Sequence, residues 1–426
     1  MSEKRVYIYY GILMVIMMSW HNSYAPNTLL RIAYLIAVVL PALRFNQAIL
    51  PAAITCFWGV SMYGYSYSYM PTMHYLYAIL VIILYVLEGR KADRTKIPQF
   101  KYLWFFLVYL TFIDLITNTK MSNMSYSFFV MLLLPYLIND KDERVVDYFE
   151  IGFIIMSLVL SYYSLTTRDM FIKTGQDYER VSWMDQNYLG TVIAMGAAIS
   201  FRRILHLNNY KAFSIALFAI TFALSSMAIL LLGSRGASLC LVGCISVFLL
   251  RSRTKKVMKY LILILFIVFI YYLYTHEYFY ILQTRIQEDD GTGSNRTYIW
   301  LVKLSVFFDK TPIQWLFGMG NRKALEIICF SGDTITAFHN DFIATLVSYG
   351  LLGFGFLLYM FYLPIKMAKK HKQALPEIIA LLFFLGLSFM TLEPFTQADF
   401  PFFAFYLYIL FVAKYGMHDS VIKIKH

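Results

Sequence analysis

The run at 342–361, FIATLVSYGLLGFGFLLYMF, contains twenty residues and no charged side chain. About twenty apolar residues in an α-helix span the hydrocarbon core of a bilayer. The rest of the chain continues this pattern, because 59% of its 426 residues are hydrophobic and only 15% are charged. This composition excludes a soluble globular domain and indicates a polytopic membrane protein.

Apolar runs separated by charged breaks predict the number of membrane helices. We count about fourteen such runs, and about twelve spans fit equally well because several runs are short. Lys4 and Arg5 precede the first apolar run, which we interpret as a retained first span because no small-residue cleavage site follows. The predicted fold is therefore an all-α polytopic integral membrane protein with about 12–14 transmembrane helices and one large outer loop.

Basic side chains are concentrated in short loops that the span count places on one side of the membrane. The chain has 37 Lys and Arg against 25 Asp and Glu, a formal net charge of +12. By the positive-inside rule we expect this side to be the cytoplasm, with both termini in it. We expect no nucleic-acid partner, because no nucleic-acid-binding motif or soluble basic domain accompanies the loops. The loops lie at 88–101, 139–147, 202–211, 251–259 and 366–372.

The same count places the polar-rich segment 275–338 and the shorter segment 167–186 on the outer face. Residues 275–338 interrupt a chain that is otherwise almost all membrane helix. A polytopic protein that keeps arginines and a histidine at one face is typically one that handles an anionic lipid there. We therefore expect the functional site at the outer face.

The chain contains no motif of common nucleotide, redox or hydrolytic chemistry. Walker, dinucleotide-binding, His-Glu-x-x-His and Gly-x-Ser-x-Gly patterns are absent from the sequence. Its four cysteines suit neither a metal site nor a disulfide framework. Glu288, Asp289 and Asp290 lie in a Gly-rich stretch, which favours a solvated turn. We therefore predict no metal ion and no cofactor, and we expect an activated substrate to arrive in the membrane.

Arg235 is the first candidate residue and lies in the sequence Gly-Ser-Arg-Gly at 233–236, between two apolar runs. Small neighbours let a guanidinium approach packed backbones, and its rigid fork of donors can hold a phosphate bidentately. An arginine that snorkels to the membrane interface explains the motif equally well. The motif alone leaves both interpretations open.

His339, Asn340 and Asp341 stand directly before the apolar run. Asn340 or Asp341 can cap the helix that begins there, and Asp341 is also a candidate for substrate binding. The imidazole of His339 has a reference pKa of about 6.5, so it can accept a proton from a hydroxyl without being permanently charged. A lone interfacial histidine is more often structural, but the position of His339 at the end of the large outer loop favours a catalytic role.

The outer segments hold further candidates. Arg296 begins the stretch RTYIWLVKLSVFF, whose apolar residues recur as in a helix that lies against the membrane surface. Arg285 and Arg322 are candidates for substrate binding, although cations near a membrane also anchor lipid headgroups. Asn187 follows Asp185 where an outer segment re-enters the membrane. A helix cap at Asp185 explains this motif about as well as substrate binding does.

Taken in order, these motifs resemble the O-antigen ligase and polymerase superfamily. Gly-Ser-Arg-Gly-Ala at 233–237 follows one span, and Arg-x-x-x-Trp at 296–300 lies in the outer loop. His-Asn-Asp-x-x-x-x-Leu-Val-x-x-Gly-Leu-Leu-Gly at 339–353 opens the next span, and Asp-Gln-Asn-Tyr at 185–188 matches a recurring upstream pattern. The resemblance covers 185–361, which is less than half of the chain.

The resemblance implies that the chain divides into three parts. Residues 1–166 would form N-terminal transmembrane helices. Residues 167–365 would form a ligase/polymerase-like catalytic module that includes the outer loop 275–338. Residues 366–426 would form C-terminal transmembrane helices and a cytoplasmic tail.

The activity that the resemblance implies is that of a metal-independent glycosyltransferase in the biosynthesis of lipopolysaccharide or another polysaccharide. The donor would be an oligosaccharide on undecaprenyl pyrophosphate, and an acceptor hydroxyl would attack its anomeric carbon. The resemblance implies that Arg235 and Arg296, which lie in the matching motifs, hold the pyrophosphate and stabilise its charge. The resemblance likewise implies that His339 orients or deprotonates the acceptor hydroxyl. Membrane lipids and a chain-length regulator protein are the other expected partners.

Overall resemblance favours a polymerase, which adds a growing chain to the terminal sugar of another lipid-linked repeat. A ligase, which delivers the chain to lipid A-core, is the alternative within the superfamily. A lipid-linked oligosaccharide flippase is the alternative from another class. Transporters typically have paired repeats, discontinuous helices and ionisable residues near mid-membrane. The sequence has no convincing repeat, and Asp114 and Glu393 fall near the ends of predicted spans.

Overall fold

The computed structural model of the chain describes residues 3–23, 28–44, 47–56, 83, 86, 100–117, 132–133, 135, 138, 142–167, 169–173, 176–180, 185–206, 212–251, 256–287, 295–330, 335–369, 374–393 and 400–415. Helices dominate these residues and confirm the predicted all-α class. The helices before the outer loop are α1 (Glu3–Ser23), α2 (Thr28–Arg44), α3 (Phe100–Ile116), α4 (Arg144–Thr166), α5 (Gln186–Ile204), α6 (Ala212–Leu231), α7 (Arg235–Arg251) and α8 (Lys256–Thr275). Those that follow are α9 (Tyr280–Gln287), α10 (Arg296–Phe308), α11 (Pro312–Phe317), α12 (Asn321–Leu325), α13 (Asp341–Ala368), α14 (Leu375–Thr391) and α15 (Phe400–Tyr415).

Three helices among the described residues are long and apolar enough to cross a membrane, namely α4, α6 and α13. Shorter apolar helices lie within α2, α7, α8, α14 and α15. The predicted total of about 12–14 spans stays a prediction. A short antiparallel hairpin in the outer segment 167–186 is an exception to the helical pattern, and it joins β1 (Asp169–Lys173) to β2 (Gln176–Arg180).

The helix α5 lies at the centre of the bundle and packs against α4, α6 and α7, while α7 also packs against α14. Small residues permit these close approaches. A Cβ at Gly196 would lie only 2.3 Å from the carbonyl oxygen of Phe153. The hydroxyl of Ser157 donates to the carbonyl oxygen of Ile193 at 2.6 Å, which adds a polar contact between α4 and α5. Small residues and interhelical hydrogen bonds of this kind drive helix association in membranes.

The predicted outer loop 275–338 is folded rather than extended, because α9, α10, α11 and α12 lie within it. It has a small apolar core of its own, separate from the core of the bundle. Side chains from the loop and from the start of α13 build this core together: Phe307, Met319, Ala324, Phe338, Ala344 and Val347. Apolar burial therefore fixes the loop on α13, directly beside His339.

The helix α13 bends sharply at Gly350, whose φ of 66° lies in the left-handed region. The ring centroids of Phe342 and Phe361 are 5.6 Å apart, whereas a straight helix would separate these residues by about 28 Å. The run at 342–361, expected as one span, is therefore two helical arms that meet at Gly350. Glycine permits the bend because it has no Cβ, and hydrophobic periodicity carries no signal for a turn at one residue.

At the bend, carbonyl groups of the first arm, 341–349, lose the N–H donors that a continuous helix would provide. The outer loop supplies N–H donors in their place. The N–H of Met319 donates to the carbonyl oxygen of Val347 at 3.3 Å, and the N–H of Gly320 donates to that of Ser348 at 2.8 Å. A broken helix is tolerated at membrane depth where neighbouring groups satisfy the freed backbone. The outer loop and the bend therefore stabilise each other.

A buried ionic cluster lies at the C-terminal end of α5. The sequence predicted a basic loop here, at 202–211, that sets the orientation of the chain in the membrane. Arg203 forms ion pairs with Glu150 and, at 3.2 Å, with Asp147. Arg202 pairs with Glu150 and, at 2.9 Å, with Glu377 of α14. These two arginines therefore join α4, α5 and α14, which local charge patterning does not predict because their partners are distant in sequence.

Candidate functional site

Two arginine motifs meet at the end of α14. The guanidinium of Arg296 donates from Nη1 to the carbonyl oxygen of Thr391 at 2.9 Å. The backbone of Gly236 packs against the same residue, since a Cβ there would lie 2.8 Å from Oγ1 of Thr391. Arg235 is the residue before Gly236 and begins α7. The structure thus brings together Arg235 and Arg296, which the sequence selected separately.

His339 lies beside this point in a constrained backbone conformation. Its φ is 52°, a left-handed value that is uncommon for residues other than glycine. The backbone N–H of His339 donates to the carboxylate of Glu393, two residues after Thr391. On the other side, Nε1 of Trp300 donates to the carbonyl oxygen of Phe338 at 2.7 Å. Contacts from α10 and from the end of α14 therefore fix the position of His339.

The charges around His339 favour its neutral form. Burial lowers the pKa of its imidazole below the ordinary value, and the positive charge of Arg296 lowers this pKa further. The carboxylate of Asp185 acts in the opposite direction. The half-buried imidazole is therefore uncharged at neutral pH and can accept a proton from a hydroxyl.

The first arm of α13 begins directly after His339. The side chain of Asn340 accepts a hydrogen bond from the N–H of Ile343 at 3.1 Å. The sequence left open whether Asn340 or Asp341 caps this helix. The structure shows that Asn340 does. Asp341 is fully buried in the first turn, which is a favourable place for a carboxylate because the helix N-terminus is partially positive.

The start of α5 lies beside the start of α7. The carboxylate of Asp185 accepts from the N–H groups of Asn187 and Tyr188, each at 3.0 Å, so Asp185 caps α5, which was one of the two interpretations that the sequence left open. A Cβ at Gly190 would lie 2.9 Å from Cβ of Ser234, the residue before Arg235. Asn187 is half-buried in the first turn of α5 and therefore lies in the neighbourhood of the arginine motifs.

Sequence analysis missed Lys303, Thr391 and Glu393 as parts of this site. Lys303 is fully buried on α10, and it lies two helical turns after Arg296, so both residues are on the same face of this helix. The position of Glu393 near the end of a predicted span was the available signal for that residue. Thr391 contributes its backbone carbonyl, for which no sequence signal exists.

Two candidates for substrate binding are not brought into this cluster by any described contact. The side chain of Arg322 is exposed and pairs with Glu326 at 2.8 Å, one turn further along the chain. Arg285 lies on α9, but its side chain falls outside the described residues. The acidic stretch 288–293 also falls outside them.

The arrangement combines anion-binding groups with a neutral base. Arg235, Arg296 and the N-terminus of the first arm of α13 supply positive charge or partial charge. His339 supplies an imidazole, and Asp185 and Glu393 lie beside it. Among the described residues, no group of three or more His, Cys, Asp or Glu side chains could hold a metal ion. These residues can bind a phosphate group and orient a hydroxyl at the same place.

Comparison with known proteins agrees with this geometry. The family model described as O-Antigen ligase matches residues 220–358. The matched segment contains Arg235, Arg296 and His339, whereas Asp185 and Glu393 lie outside it. A search of curated proteins finds no match. The match covers 139 of the 426 residues, and it supports the resemblance to the O-antigen ligase/polymerase superfamily that the motifs indicate.

Proposed function

We propose that the protein is a polysaccharide polymerase of the bacterial inner membrane. It transfers a glycan from undecaprenyl pyrophosphate to the terminal sugar of another lipid-linked repeat unit at the outer face. The O-antigen ligase domain supports a glycosyltransferase of the ligase or polymerase type. The observation that carries the proposal is the hydrogen bond from Arg296 to Thr391, because Gly236 packs on the same threonine and Glu393, two residues further, accepts from the backbone of His339.

The donor binds through its pyrophosphate in this mechanism. The guanidinium groups of Arg235 and Arg296 hold the phosphate oxygens, and the N–H groups at the start of α13 add partial positive charge. These charges are fixed before the reaction and stabilise the negative charge that develops on the leaving group. Undecaprenyl pyrophosphate leaves with the electron pair of the broken bond to the anomeric carbon.

The acceptor sugar binds beside His339. Its hydroxyl oxygen forms the new bond to the anomeric carbon, and the neutral imidazole of His339 accepts the hydroxyl proton. Asp185 faces the imidazolium that forms and stabilises its positive charge. The pyrophosphate is a good leaving group, so the arginines contribute more to the rate than the base does.

Oligomer formation from a single lipid-linked substrate tests the proposal. Purified protein is mixed with its undecaprenyl-pyrophosphate-linked repeat unit, without metal or nucleotide, and the products are separated by size. A ladder of oligomers is expected. A ladder that appears only after a divalent cation or a nucleotide is added would contradict the mechanism.

A ligase is the second candidate, because the matched family model is itself described as O-Antigen ligase. In a ligase, the same arginines and His339 would act on the same donor, and lipid A-core would supply the hydroxyl. The second arm of the experiment therefore adds lipid A-core as acceptor. Transfer to lipid A-core without any ladder would replace the polymerase by the ligase.

The bend in α13 is an observation that favours the flippase, because discontinuous helices are typical of transporters. Arg202 and Arg203 lie in the last turn of α5, and Arg235, Arg296 and His339 also lie at helix ends, which is less typical of a transport path. Vesicles that contain the protein and a fluorescent lipid-linked repeat unit separate the two functions. Movement of the lipid across the bilayer, with no product in either transfer assay, would replace the transferase by the flippase.

A further inference from the structure

A buried lysine on α10 contacts the chain directly before His339. Nζ of Lys303 donates to the carbonyl oxygen of Thr336 at 2.6 Å and to that of Ala324 at 2.9 Å. The same ammonium lies 4.0 Å from the ring centroid of Phe338. Lys303 therefore fixes both a carbonyl oxygen and an aromatic ring within three residues of His339.

A second side chain of α10 acts on the same segment. Nε1 of Trp300 donates to the carbonyl oxygen of Phe338, so α10 fixes the segment at Thr336 and again at Phe338. The N–H of Thr336 donates to the carbonyl oxygen of Leu325 at 2.9 Å, which ties the segment to α12 as well. The segment 336–338 is thus fixed along its whole length before it reaches His339.

The conformation of His339 needs such support. A residue other than glycine with positive φ costs free energy, and it persists where the surrounding structure determines the backbone. Glu393 accepts from the backbone N–H of His339 on one side. Lys303 and Trp300 hold the preceding residues on the other side. These contacts fix the backbone before His339 and at His339 itself, from which the imidazole projects.

An uncharged side chain at position 303 would not replace the lysine. The carbonyl oxygens of Thr336 and Ala324 would lose a shared donor in a buried place, which is unfavourable. A buried ammonium is itself costly, and burial lowers the pKa of Lys303 to about 8. Cys329 and Glu393 are the titratable groups that raise this pKa in the opposite direction.

We propose that Lys303 is a positioning residue that holds segment 336–338 and thereby aims the imidazole of His339 at the acceptor hydroxyl. The expected effect of Lys303 on the reaction rate rests on the proposed transferase function. Its expected effect on the position of His339 does not. Lys303 is fully buried, so it acts through segment 336–338. Its removal therefore reduces turnover while donor binding at Arg235 and Arg296 is retained.

The experiment compares Lys303→Met with Lys303→Arg and with the control Lys310→Met, which removes an exposed lysine just after α10. In the ladder assay, we expect kcat of Lys303→Met to fall about tenfold to hundredfold, the usual effect of a misplaced reacting group. KM for the lipid-linked donor should change less than about twofold. Lys303→Arg should recover part of kcat, and Lys310→Met should match the unmodified protein. An unchanged kcat in folded Lys303→Met would overturn the inference.

A second variant keeps the test decisive if Lys303→Met does not fold. Trp300→Phe keeps an aromatic ring and removes the donor to the carbonyl oxygen of Phe338. We expect the same signature, a lower kcat with a nearly unchanged KM. A larger KM with an unchanged kcat would show that α10 serves donor binding instead, and the inference would be wrong.

A chemical readout on His339 separates this inference from the proposed function. Diethyl pyrocarbonate modifies neutral imidazoles, and mass spectrometry of the peptide that contains His339 gives the rate at that residue. We expect a rate several-fold higher in Lys303→Met and unchanged in Lys310→Met. If no variant makes polymer but this rate changes, the positioning role stands and the proposed function fails. An unchanged rate in folded Lys303→Met would overturn the positioning role.

Discussion

The guanidinium of Arg296 donates a hydrogen bond to the backbone carbonyl of Thr391, although the two residues are 95 positions apart in the chain. This contact joins the first residue of α10 to the last residue of α14. Gly236 packs on the same threonine, so the start of α7 lies there too. Thr391 is thus the meeting point of three helix ends, through its carbonyl oxygen towards α10 and through its side chain towards α7.

Replacement of Arg296 by lysine should abolish most of the activity. Lysine keeps the charge but lacks the planar fork that can bind Thr391 and a phosphate oxygen together. We expect a fall of about 100-fold or more in kcat/KM for polymer formation, the size reported for loss of one charge-stabilising donor. Arg144→Lys is the matched control, because Arg144 forms an exposed ion pair with Asp142. Equal activities of the two variants would remove Arg296 from the site.

Replacement of Asp185 by asparagine should shift the pH dependence. The carboxylate of Asp185 raises the pKa of His339, so its removal lowers this pKa further below 6.5. Protonation of His339 abolishes its function as a base, and the acid limb of the pH–rate profile should therefore move to lower pH. Asparagine can still cap α5. The profile is measured from about pH 4.5 to pH 8, and a shift to higher pH would contradict the assignment of His339 as the base.

Replacement of Gly350 by alanine should destabilise the protein. A Cβ at Gly350 would lie 2.4 Å from the carbonyl oxygen of Leu316, and the φ of 66° disfavours alanine. We expect a loss of about 1–3 kcal/mol in the free energy of unfolding. Gly355→Ala is the control on the same helix, because no heavy atom lies within 4 Å of its added Cβ. Thermal unfolding in detergent gives the comparison, and equal melting temperatures would argue against the bend.

Replacement of Glu150 by glutamine should also destabilise the protein. The change removes the carboxylate between Arg202 and Arg203, and the side chain of Arg203 is only 1% exposed. A buried charge left without any partner costs about 3–5 kcal/mol, and the loss should be smaller here because Arg203 keeps Asp147 and Arg202 keeps Glu377. Glu326→Gln, which breaks the exposed pair with Arg322, should cost about 0–1 kcal/mol. Both variants are compared by thermal unfolding, and an equal loss in the two would contradict the burial of the cluster.

The apolar outer faces of α10 and α11 should contact the outer leaflet of the membrane. Leu301 is 64% exposed and Ile313 is 72% exposed, which is typical of helices that lie at a lipid interface. A spin label at Ile313→Cys should relax faster with oxygen than with a water-soluble nickel chelate. A label at Lys310→Cys, in the polar turn between the two helices, should show the reverse. Preference for the nickel chelate at both positions would place α11 in water.

Much of the local structure follows from the sequence. The apolar composition determined the membrane class, and Arg296 and Asp341 begin α10 and α13 where the motifs placed them. The caps at Asp185 and Asn340 were predictable because a capping side chain acts on N–H groups two or three residues away. Signals that act within one helical turn are visible in the sequence alone.

The arrangement of the site depended on the tertiary structure. Glu393 contacts the backbone of His339 across 54 positions, and Lys303 is buried because segment 336–338 folds over α10. The bend at Gly350 depends on carbonyl groups that the outer loop satisfies. The sequence determined which charged groups lie at helix ends, since hydropathy and helix caps are local properties. Only packing between distant segments decided which of these groups meet, because such contacts depend on the shape of the whole bundle.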